Sequence, residues 1–409
     1  MRFVAPKVLT IRFRSTVAVL VGLVLFATIS IQAQTHDERL KAQELINAGN
    51  AHLLRGDSEQ AVQKFSQVVI LLPNLAIGYI NRGLALVALN RLSEALEDAD
   101  KAVELSKSAP DAKYFLAMAF QLKGHAFKAK NENQTSVEEF TKAIELEPNN
   151  PRFLHGRGTS YLFMGKLDQA LNDFNKAIEL DPSIFQSLLN RAIIHRRNKN
   201  YEASLRDLDS VLKLDPTNAS AFNNRGNIQK DQKLWSDAIL SFSSAISIDP
   251  KSEYFYNRAK VHHDKGDFTN AISDNSEAIK RDRNNDKAYY NRGIAYNRLG
   301  KNDLALDDLR RAMQINDKSS ARRYNYGFLL FQVGRFAEAR NEMTTLILRH
   351  PKWKAAHVLR GEAAARMGDA ASAKKDREIA SGLSEAWKPD EEEFLIFDFT
   401  FAIRGQEIK

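Results

Sequence analysis

The chain contains no cysteine among its 409 residues, and this absence excludes several kinds of chemistry. Without a thiol there are no disulfides, cysteine-ligated metals, cysteine nucleophiles or lipidated N-terminal cysteines. The sequence also lacks an HExxH motif, a Walker loop, a GxSxG motif and a dinucleotide fingerprint. Its histidines are scattered, and the adjacent His262 and His263 would point about 100° apart on a helix, which suits one metal poorly. We therefore expect no enzymatic activity, no bound metal and no cofactor.

Acidic residues are missing from the N-terminus until Asp37, whereas basic residues precede an apolar run at 17–31. Small Ala33 follows this run at a plausible cleavage point, an order that is typical of an export signal. We predict that residues 1–34 are a signal peptide and that the protein is exported, either periplasmic or secreted. The alternatives are a membrane anchor formed by residues 15–34 and an organellar transit peptide.

The net charge of +8 comes partly from this N-terminal segment. Removing residues 1–34 takes away four basic residues and no acids, which leaves +4 on the rest of the chain. So small a charge gives little electrostatic attraction to nucleic acid or to a membrane surface. We expect no nucleic-acid partner, and a membrane contact only if the N-terminal segment is retained.

Small residues recur along the chain with a period of about 34 residues. Ten of them serve as anchors: Gly49, Gly83, Gly124, Gly158, Ala192, Gly226, Ala259, Gly293, Gly327 and Gly361. The interval between anchors is constant, except that it is seven longer before Gly124 and one shorter before Ala259. Two short helices that pack closely need such residues where their backbones approach, and phenylalanines sixteen positions later would fill the space between the helices. Prolines twenty-four positions after most anchors would end each second helix.

This pattern resembles the tetratricopeptide repeat family. Residues 158–182, GTSYLFMGKLDQALNDFNKAIELDP, are close to the family pattern in full, and the resemblance covers about residues 42–384. It implies an all-α, right-handed superhelical solenoid of about ten helix-turn-helix repeats, in which the first helices line a concave groove. We assign residues 35–384 to this array. The third repeat is seven residues longer, which lengthened helices would absorb as two turns.

An asparagine lies two residues before the anchor in seven of the ten repeats. With the anchor numbered as position 8, these position-6 residues are Asn47, Asn81, Asn190, Asn224, Asn257, Asn291 and Asn325. A carboxamide offers two donors and two acceptor lone pairs, so it can hold the backbone of a peptide of any sequence. The column resembles the asparagine ladder in the repeat domain of O-linked N-acetylglucosamine transferase, which implies binding of an extended peptide. The alternative is that these side chains bond to neighbouring helices and fix their stacking.

A basic residue at position 7 and an acidic residue at position 23 occur together in repeats 2, 3, 4, 5, 7, 8 and 10. The basic residues at position 7 are Arg82, Arg157, Arg191, Arg225, Arg258, Arg292 and Arg360, with Lys123 in the third repeat, and all of them except Arg225 have the acidic residue in their own repeat. This matching predicts ion pairs between helices or adjacent repeats rather than ligand contacts. A connected set of such pairs would fix the register of the array.

Other positions that would face the groove change in character along the chain. Repeat 2 offers the apolar Ile77, Ile80, Leu84 and Val87, whereas later repeats offer bases and tyrosines. We predict that Arg196, Lys230, Lys260, Lys287 and Arg298, with Tyr256, Tyr290 and Tyr324, bind ligand together with Asn190, Asn224, Asn257, Asn291 and Asn325. Bases beside tyrosines suit an extended acidic peptide, and the alternative is a solvated charged face.

Some members of the family hold chaperone C-termini with a carboxylate clamp of Lys, Asn, Asn, Lys and Arg. Asn227, Asn257 and Lys287 match three places of this clamp, but Asn223 and Asn291 stand where a Lys and an Arg belong. The clamp is therefore incomplete, and we do not assign its function to this chain.

The C-terminal segment, residues 385–409, does not repeat. Four acids at 390–393 precede FLIFDFTFAI at 394–403, where apolar and polar residues alternate as in a strand. A capped helix is the other interpretation. We expect this segment to cover the last repeat, or to dock in a groove of its own chain or of a partner.

The sequence as a whole predicts an exported protein–protein interaction scaffold that binds a partner protein or an extended peptide in its concave groove. Two other functions remain open: a membrane-anchored envelope assembly factor, and an envelope protein that binds polysaccharide.

Overall fold

The structure is a computed structural model that describes residues 36–107 and 111–384. These residues form twenty α-helices that pair in chain order into ten helix-turn-helix repeats, which confirms the predicted all-α repeat fold. The chain divides after Pro216 into two compact bodies, the N-terminal body and the C-terminal body, with five repeats in each. The segments predicted as signal peptide and C-terminal segment, residues 1–34 and 385–409, lie outside the described residues.

The N-terminal body contains helices α1 to α10. They are α1 His36–Arg55, α2 Ser58–Leu71, α3 Ala76–Ala88, α4 Leu92–Ser106, α5 Ala112–Ala129, α6 Asn133–Leu146, α7 Pro151–Phe163, α8 Leu167–Leu180, α9 Phe185–Arg197 and α10 Tyr201–Leu214. The extra length of the third repeat lies partly in α5, which has 18 residues where most first helices have 13. Ile77, Ile80, Leu84 and Val87 of α3, which we expected to face a groove, are buried in the core of this body.

The C-terminal body contains helices α11 to α20. They are α11 Ala219–Asp231, α12 Trp235–Ile248, α13 Ser252–Asp264, α14 Phe268–Arg281, α15 Asp286–Arg298, α16 Asn302–Ile315, α17 Ser320–Gln332, α18 Phe336–Arg349, α19 Lys354–Arg366 and α20 Ala370–Ser381. Odd-numbered helices are the first helices of their repeats and even-numbered helices are the second. None of the helices within residues 36–107 and 111–384 has the length and apolar character that crossing a membrane requires.

The turn inside each repeat contains one residue with positive φ, seven positions after the anchor. These residues are Gly56, Asn90, Asn131, Gly165, Lys199, Lys233, Gly266, Gly300, Gly334 and Gly368. Glycine and asparagine adopt this conformation readily, but Lys199 and Lys233 adopt it too, with φ of 59° and 61°. The repeat geometry therefore dictates the turn even where the side chain disfavours it.

The anchor glycines allow the two helices of a repeat to approach closely, as predicted. A Cβ atom on Gly226 would lie 2.8 Å from the ring of Phe242, and one on Gly124 would lie 2.7 Å from the ring of Phe140. Both rings are fully buried. Where the anchor is alanine, at Ala192 and Ala259, the residue sixteen positions later is Leu or Asn instead of Phe. Every anchor that is followed by Phe at this spacing is glycine, so the absence of a side chain at the anchor makes room for the ring.

We expect Gly226→Ala to destabilise the protein by about 1–3 kcal/mol, because the added methyl group overlaps the ring of Phe242. The double variant Gly226→Ala, Phe242→Leu should recover most of this loss, since it restores the pairing seen at Ala192. Urea unfolding of the three proteins measures both effects. If the second substitution only adds to the first, the two positions do not pack as a matched pair.

Candidate functional site

A two-point ion pair joins the first and second helix in six of the ten repeats. In repeat 7, Arg258 of α13 donates from Nε and Nη2 to the two carboxylate oxygens of Asp274, at 2.8 and 2.7 Å. The equivalent pairs are Arg82–Asp98, Arg157–Asp173, Arg191–Asp207, Arg292–Asp308 and Arg360–Asp376. The hydrogen bonds to Asp173 raise the pKa of Arg157, so the charged form is favoured. The predicted structural role of this column is confirmed.

A further donor of the same arginine reaches the preceding repeat. Arg258 Nη1 donates to the hydroxyl of Ser243 on α12 at 2.8 Å, and Arg292 Nη1 donates to Ser276 on α14 at 2.9 Å. Arg157 and Arg191 make the same contact in the N-terminal body, with Thr141 and Asn175. Each of these guanidinium groups therefore ties three helices together. All four acceptors lie seventeen positions after the anchor of their own repeat, and this polar column in the sequence could have identified them.

The third repeat departs from the predicted pairing. Lys123 contacts Asp100 of the preceding repeat at 2.6 Å, while Glu139 contacts Lys142 on its own helix. A lysine has one charged nitrogen and cannot hold two helices at once as a guanidinium does. The third repeat therefore has an ion pair with the preceding repeat but lacks the ion pair between its own two helices.

The position-6 asparagines of the C-terminal body divide into two classes. Asn325 is fully buried, and its Nδ2 donates to the hydroxyl of Tyr290 at 2.6 Å. Asn257 donates to Asn223 Oδ1 at 2.9 Å. In both cases the acceptor is the position-5 side chain of the preceding repeat. These two asparagines fix the stacking of first helices, which is the alternative that the sequence left open.

The second class comprises Asn224 on α11 and Asn291 on α15. Both are partly buried, and neither forms a side-chain hydrogen bond with any residue in the described part of the chain. Their repeats lie on either side of the repeat that carries Asn257. Along the first helices, Asn224 and Asn291 therefore lie on either side of Asn257, whose amide donates to the preceding repeat.

The predicted basic residues differ in exposure. Lys287 and Arg298 of α15 are exposed, whereas Lys230 of α11 and Lys260 of α13 are partly buried. The ammonium group of Lys260 lies 5.8 Å from the centre of the Tyr256 ring on the same helix. We call the surface formed by Asn224, Lys230, Tyr256, Lys260, Lys287, Asn291 and Arg298 the first-helix face of the C-terminal body.

Two of the three predicted tyrosines are buried. Tyr290 is 5% exposed and accepts from Asn325, and Tyr324 is 2% exposed and packs 5.0 Å from the Trp353 ring. Burial also raises the pKa of Tyr324 well above its usual range. Tyr256 remains partly exposed, so it is the tyrosine of this set that a ligand reaches without rearrangement.

Asn190 and Arg196, the two remaining predicted residues, belong to α9 of the N-terminal body. Both are partly buried, and Asn190 has no side-chain hydrogen bond to the described residues.

The same body contains a basic cluster that the sequence analysis missed. Burial lowers the pKa of Lys128 to about 8 and that of His155 to about 3, and His155 Nδ1 lies 2.9 Å from the Ser187 hydroxyl. His155 is therefore neutral at physiological pH.

We expect Arg258→Met to destabilise the protein by about 3 kcal/mol, because it leaves the Asp274 carboxylate buried without its partner. The double variant Arg258→Met, Asp274→Leu should be more stable than the single variant, since no buried charge remains. Thermal unfolding compares the two with the parent protein. A single variant as stable as the parent would show that the pair behaves like an exposed ion pair.

Comparison with known proteins agrees with the repeat geometry. Family models described as tetratricopeptide repeat or TPR repeat match residues 45–63, 80–124, 118–150, 151–184, 195–253, 259–300, 286–319 and 328–376, which together exceed half of the chain.

Curated relatives match over shorter stretches. The Protein STIP1 homolog of Dictyostelium discoideum is 45% identical over 65 residues, which are 16% of this chain and 12% of the relative. The Hsp70-Hsp90 organizing protein of Triticum aestivum is 32% identical over 109 residues, which are 27% of this chain and 18% of the relative. Matches of this kind span between 10% and 33% of the length of the curated relatives.

Among solved structures, a tetratricopeptide repeat protein from Parabacteroides merdae is similar in fold, with a TM-score of 0.50 and 18% identity. The alignment covers 62% of this chain and 98% of the other. Family models match most of the repeats, the anchors recur with a regular period, and the helices are paired. The chain therefore belongs to the tetratricopeptide repeat family.

Proposed function

We propose that the protein is a non-catalytic protein–protein interaction scaffold that binds an extended, acidic segment of a partner protein on the first-helix face of the C-terminal body. The observation that carries this proposal is the pair of partly buried carboxamides, Asn224 and Asn291, that have no hydrogen-bond partner among the described residues. A partly buried amide that makes no bond within the fold can exchange its bonds to water for bonds to a ligand.

The spacing of the two amides suits an extended chain. Neighbouring helices pack about 10 Å apart, so two first helices separated by a third lie about 20 Å apart. An extended peptide covers this distance in about six residues. Asn224 and Asn291 can therefore hold the backbone of one peptide at two points, and Asn257 between them is already bonded to Asn223.

The charges on this face favour an acidic ligand. Lys287 and Arg298 are exposed on α15, and Lys230 and Lys260 lie on the two first helices before it. Glu253 of α13 accepts a hydrogen bond from the Asn223 amide at 3.5 Å, and burial raises the pKa of its carboxyl. A peptide with carboxylates beside its backbone contacts would meet complementary charge along the face.

The relatives support the general class of function. The Hsp70-Hsp90 organizing protein of Triticum aestivum, which matches 27% of this chain, is named for its action on other proteins. The residues that would form a carboxylate clamp are incomplete in this chain, so the proposal is a contact with peptide backbone and acidic side chains rather than with a chaperone C-terminus.

The proposal is tested with a fluorescent ten-residue peptide rich in glutamate, and with the same peptide carrying glutamine in place of glutamate. We expect the acidic peptide to bind the full chain, and Asn224→Ala, Asn291→Ala to weaken its binding at least tenfold. The unfolding midpoint should not change, because these side chains make no hydrogen bonds within the described chain. Fluorescence anisotropy measures the affinities.

The matched control is Asn270→Ala, Asn341→Ala, which removes two exposed carboxamides from second helices of the same body. This control should bind as the parent does. Equal affinity for the acidic and the glutamine peptide, or an unchanged affinity in the Asn224→Ala, Asn291→Ala variant, would count against the proposal.

We also propose that the protein is exported. The support is the order of basic, apolar and small residues in 1–34, a segment outside the described residues. N-terminal sequencing of the mature protein should give a start near Gln34 or Thr35. A mature protein that begins at Met1 would support the membrane-anchored alternative instead.

A further inference from the structure

Three consecutive first helices of the N-terminal body, α5, α7 and α9, contain no aspartate or glutamate. Their position-7 bases, Lys123, Arg157 and Arg191, pair with acids of second helices. Lys128 of α5 differs from them, because it forms no hydrogen bond and no ion pair with any residue in the described part of the chain. These first helices therefore carry a positive charge that the described fold does not neutralise.

Lys128 is partly buried, and burial lowers the pKa of its ammonium group to about 8, so the group is mostly charged at pH 7. A partly buried charge without a counter-ion costs stability. Side chains that cost stability in this way are expected where a protein binds another molecule. Lys128 lies at position 12, whereas the carboxylate clamp of the family uses positions 2, 5, 6 and 9, so Lys128 is not one of the clamp residues.

Two imidazole rings, of His125 on α5 and of His155 on α7, lie close enough to Lys128 for its charge to act on them. Burial, with a smaller contribution from the Lys128 charge, lowers the pKa of His155 to about 3 and that of His125 well below its usual range. Both rings are therefore neutral at physiological pH. Each ring also packs against the phenylalanine of its own repeat, at 5.1 Å between ring centres for His125 and 5.8 Å for His155. This packing holds two neutral rings next to a single positive charge.

The hydrogen bond between His155 and α9 decides which nitrogen of the ring carries the proton. The Ser187 hydroxyl is buried and lies 2.9 Å from His155 Nδ1, its only hydrogen-bond partner among the described residues. The hydroxyl proton is therefore bonded only if Ser187 donates to Nδ1, which places the proton of the neutral ring on Nε2. His155 Nε2 forms no hydrogen bond with a described residue, so it is a free N–H donor near the Lys128 ammonium group. His125 also has a buried Nε2 without a hydrogen-bond partner among these residues.

We propose that Lys128 and His155 form a binding site for one carboxylate. The ammonium group forms an ion pair with it, and His155 Nε2 donates a hydrogen bond to it. One positive charge beside neutral imidazoles balances one negative charge, so a carboxylate fits better than a doubly charged phosphate. Both residues are partly exposed to solvent. The site goes beyond the proposed function, because it lies in the other body and shares no residue with the first-helix face.

The first test measures how fast acetic anhydride labels Lys128 in the full chain, with mass spectrometry as the readout. We expect the glutamate-rich peptide to slow this labelling at least threefold, because a bound carboxylate raises the pKa of the amine and leaves less of its reactive neutral form. The glutamine peptide and sodium chloride should leave the rate unchanged. The matched control is Lys113, an exposed lysine of the same helix, whose labelling rate should be the same with either peptide.

Sodium acetate, at the ionic strength of the chloride control, distinguishes two sources of the carboxylate. Slowing by acetate would show that a small acid fills the site, and slowing by the glutamate-rich peptide alone would assign the site to an acidic side chain of a partner protein. An unchanged rate with both, or equal slowing by chloride or by the glutamine peptide, overturns the proposal. The readout is specific to Lys128, so its failure leaves the proposed function at Asn224 and Asn291 standing.

The second test separates a binding role of these residues from a structural one. We expect Lys128→Met to unfold at the same temperature as the parent or higher, since it removes a partly buried charge that has no counter-ion among the described residues. His155→Leu should lose the slowing of Lys128 labelling, whereas His195→Leu, which replaces an imidazole beside Asp207, should keep it. A lower unfolding midpoint for Lys128→Met, or slowing that persists in His155→Leu, would reject the site.

Discussion

The hydrogen bonds of one guanidinium group hold three helices at once, and the order of the array depends on this geometry. In Arg258, Nε and Nη2 donate to the Asp274 carboxylate on the second helix, and Nη1 donates to the Ser243 hydroxyl in the preceding repeat. The planar fork of arginine fixes distance and angle together, which a single ammonium group does not. The contact therefore sets both the packing inside a repeat and the step from one repeat to the next.

The anchor at position 8 and the arginine at position 7 both pack between helices of the array. The asparagine at position 6 lies beside them at the border between core and surface. The anchor faces the second helix and the arginine reaches the second helices of its own and the preceding repeat. The asparagine either donates to the first helix of the preceding repeat or forms no side-chain hydrogen bond within the described residues. Asn257 meets Asn223 and Asn325 meets Tyr290, so both are held inside the array. Asn224 and Asn291 form no side-chain hydrogen bond within the described residues.

The sequence predicted those parts of the structure that depend on one repeat alone. The period, the anchor glycines and the arginine–aspartate pairs follow from spacing within a single repeat, and the structure confirms them. The partners of Lys123 and of the position-6 asparagines depend on side chains in the preceding repeat. Comparing the residues at one position across the repeats does not identify these partners. Position 5 of the preceding repeat is a tyrosine for both Asn325 and Asn291, and only Asn325 forms a hydrogen bond to that tyrosine within the described residues, so the sequence alone does not separate the two.

The burial of the position-6 asparagines favours the C-terminal body for the proposed peptide binding. At position 5 the first two repeats of the N-terminal body carry Ile46 and Ile80, which are 4% and 0% exposed and leave no polar group beside the asparagine column. Asn81 there is 4% exposed, and its Nδ2 has no hydrogen-bond partner. An amide buried in this way costs stability and is out of reach of a peptide. Asn224 and Asn291 are only partly buried, so water can reach them in the free protein and a peptide can replace that water. Under the proposed function, recognition uses amides that are neither hydrogen-bonded to the preceding repeat nor enclosed, and within residues 217–384 the position-6 column provides two of them.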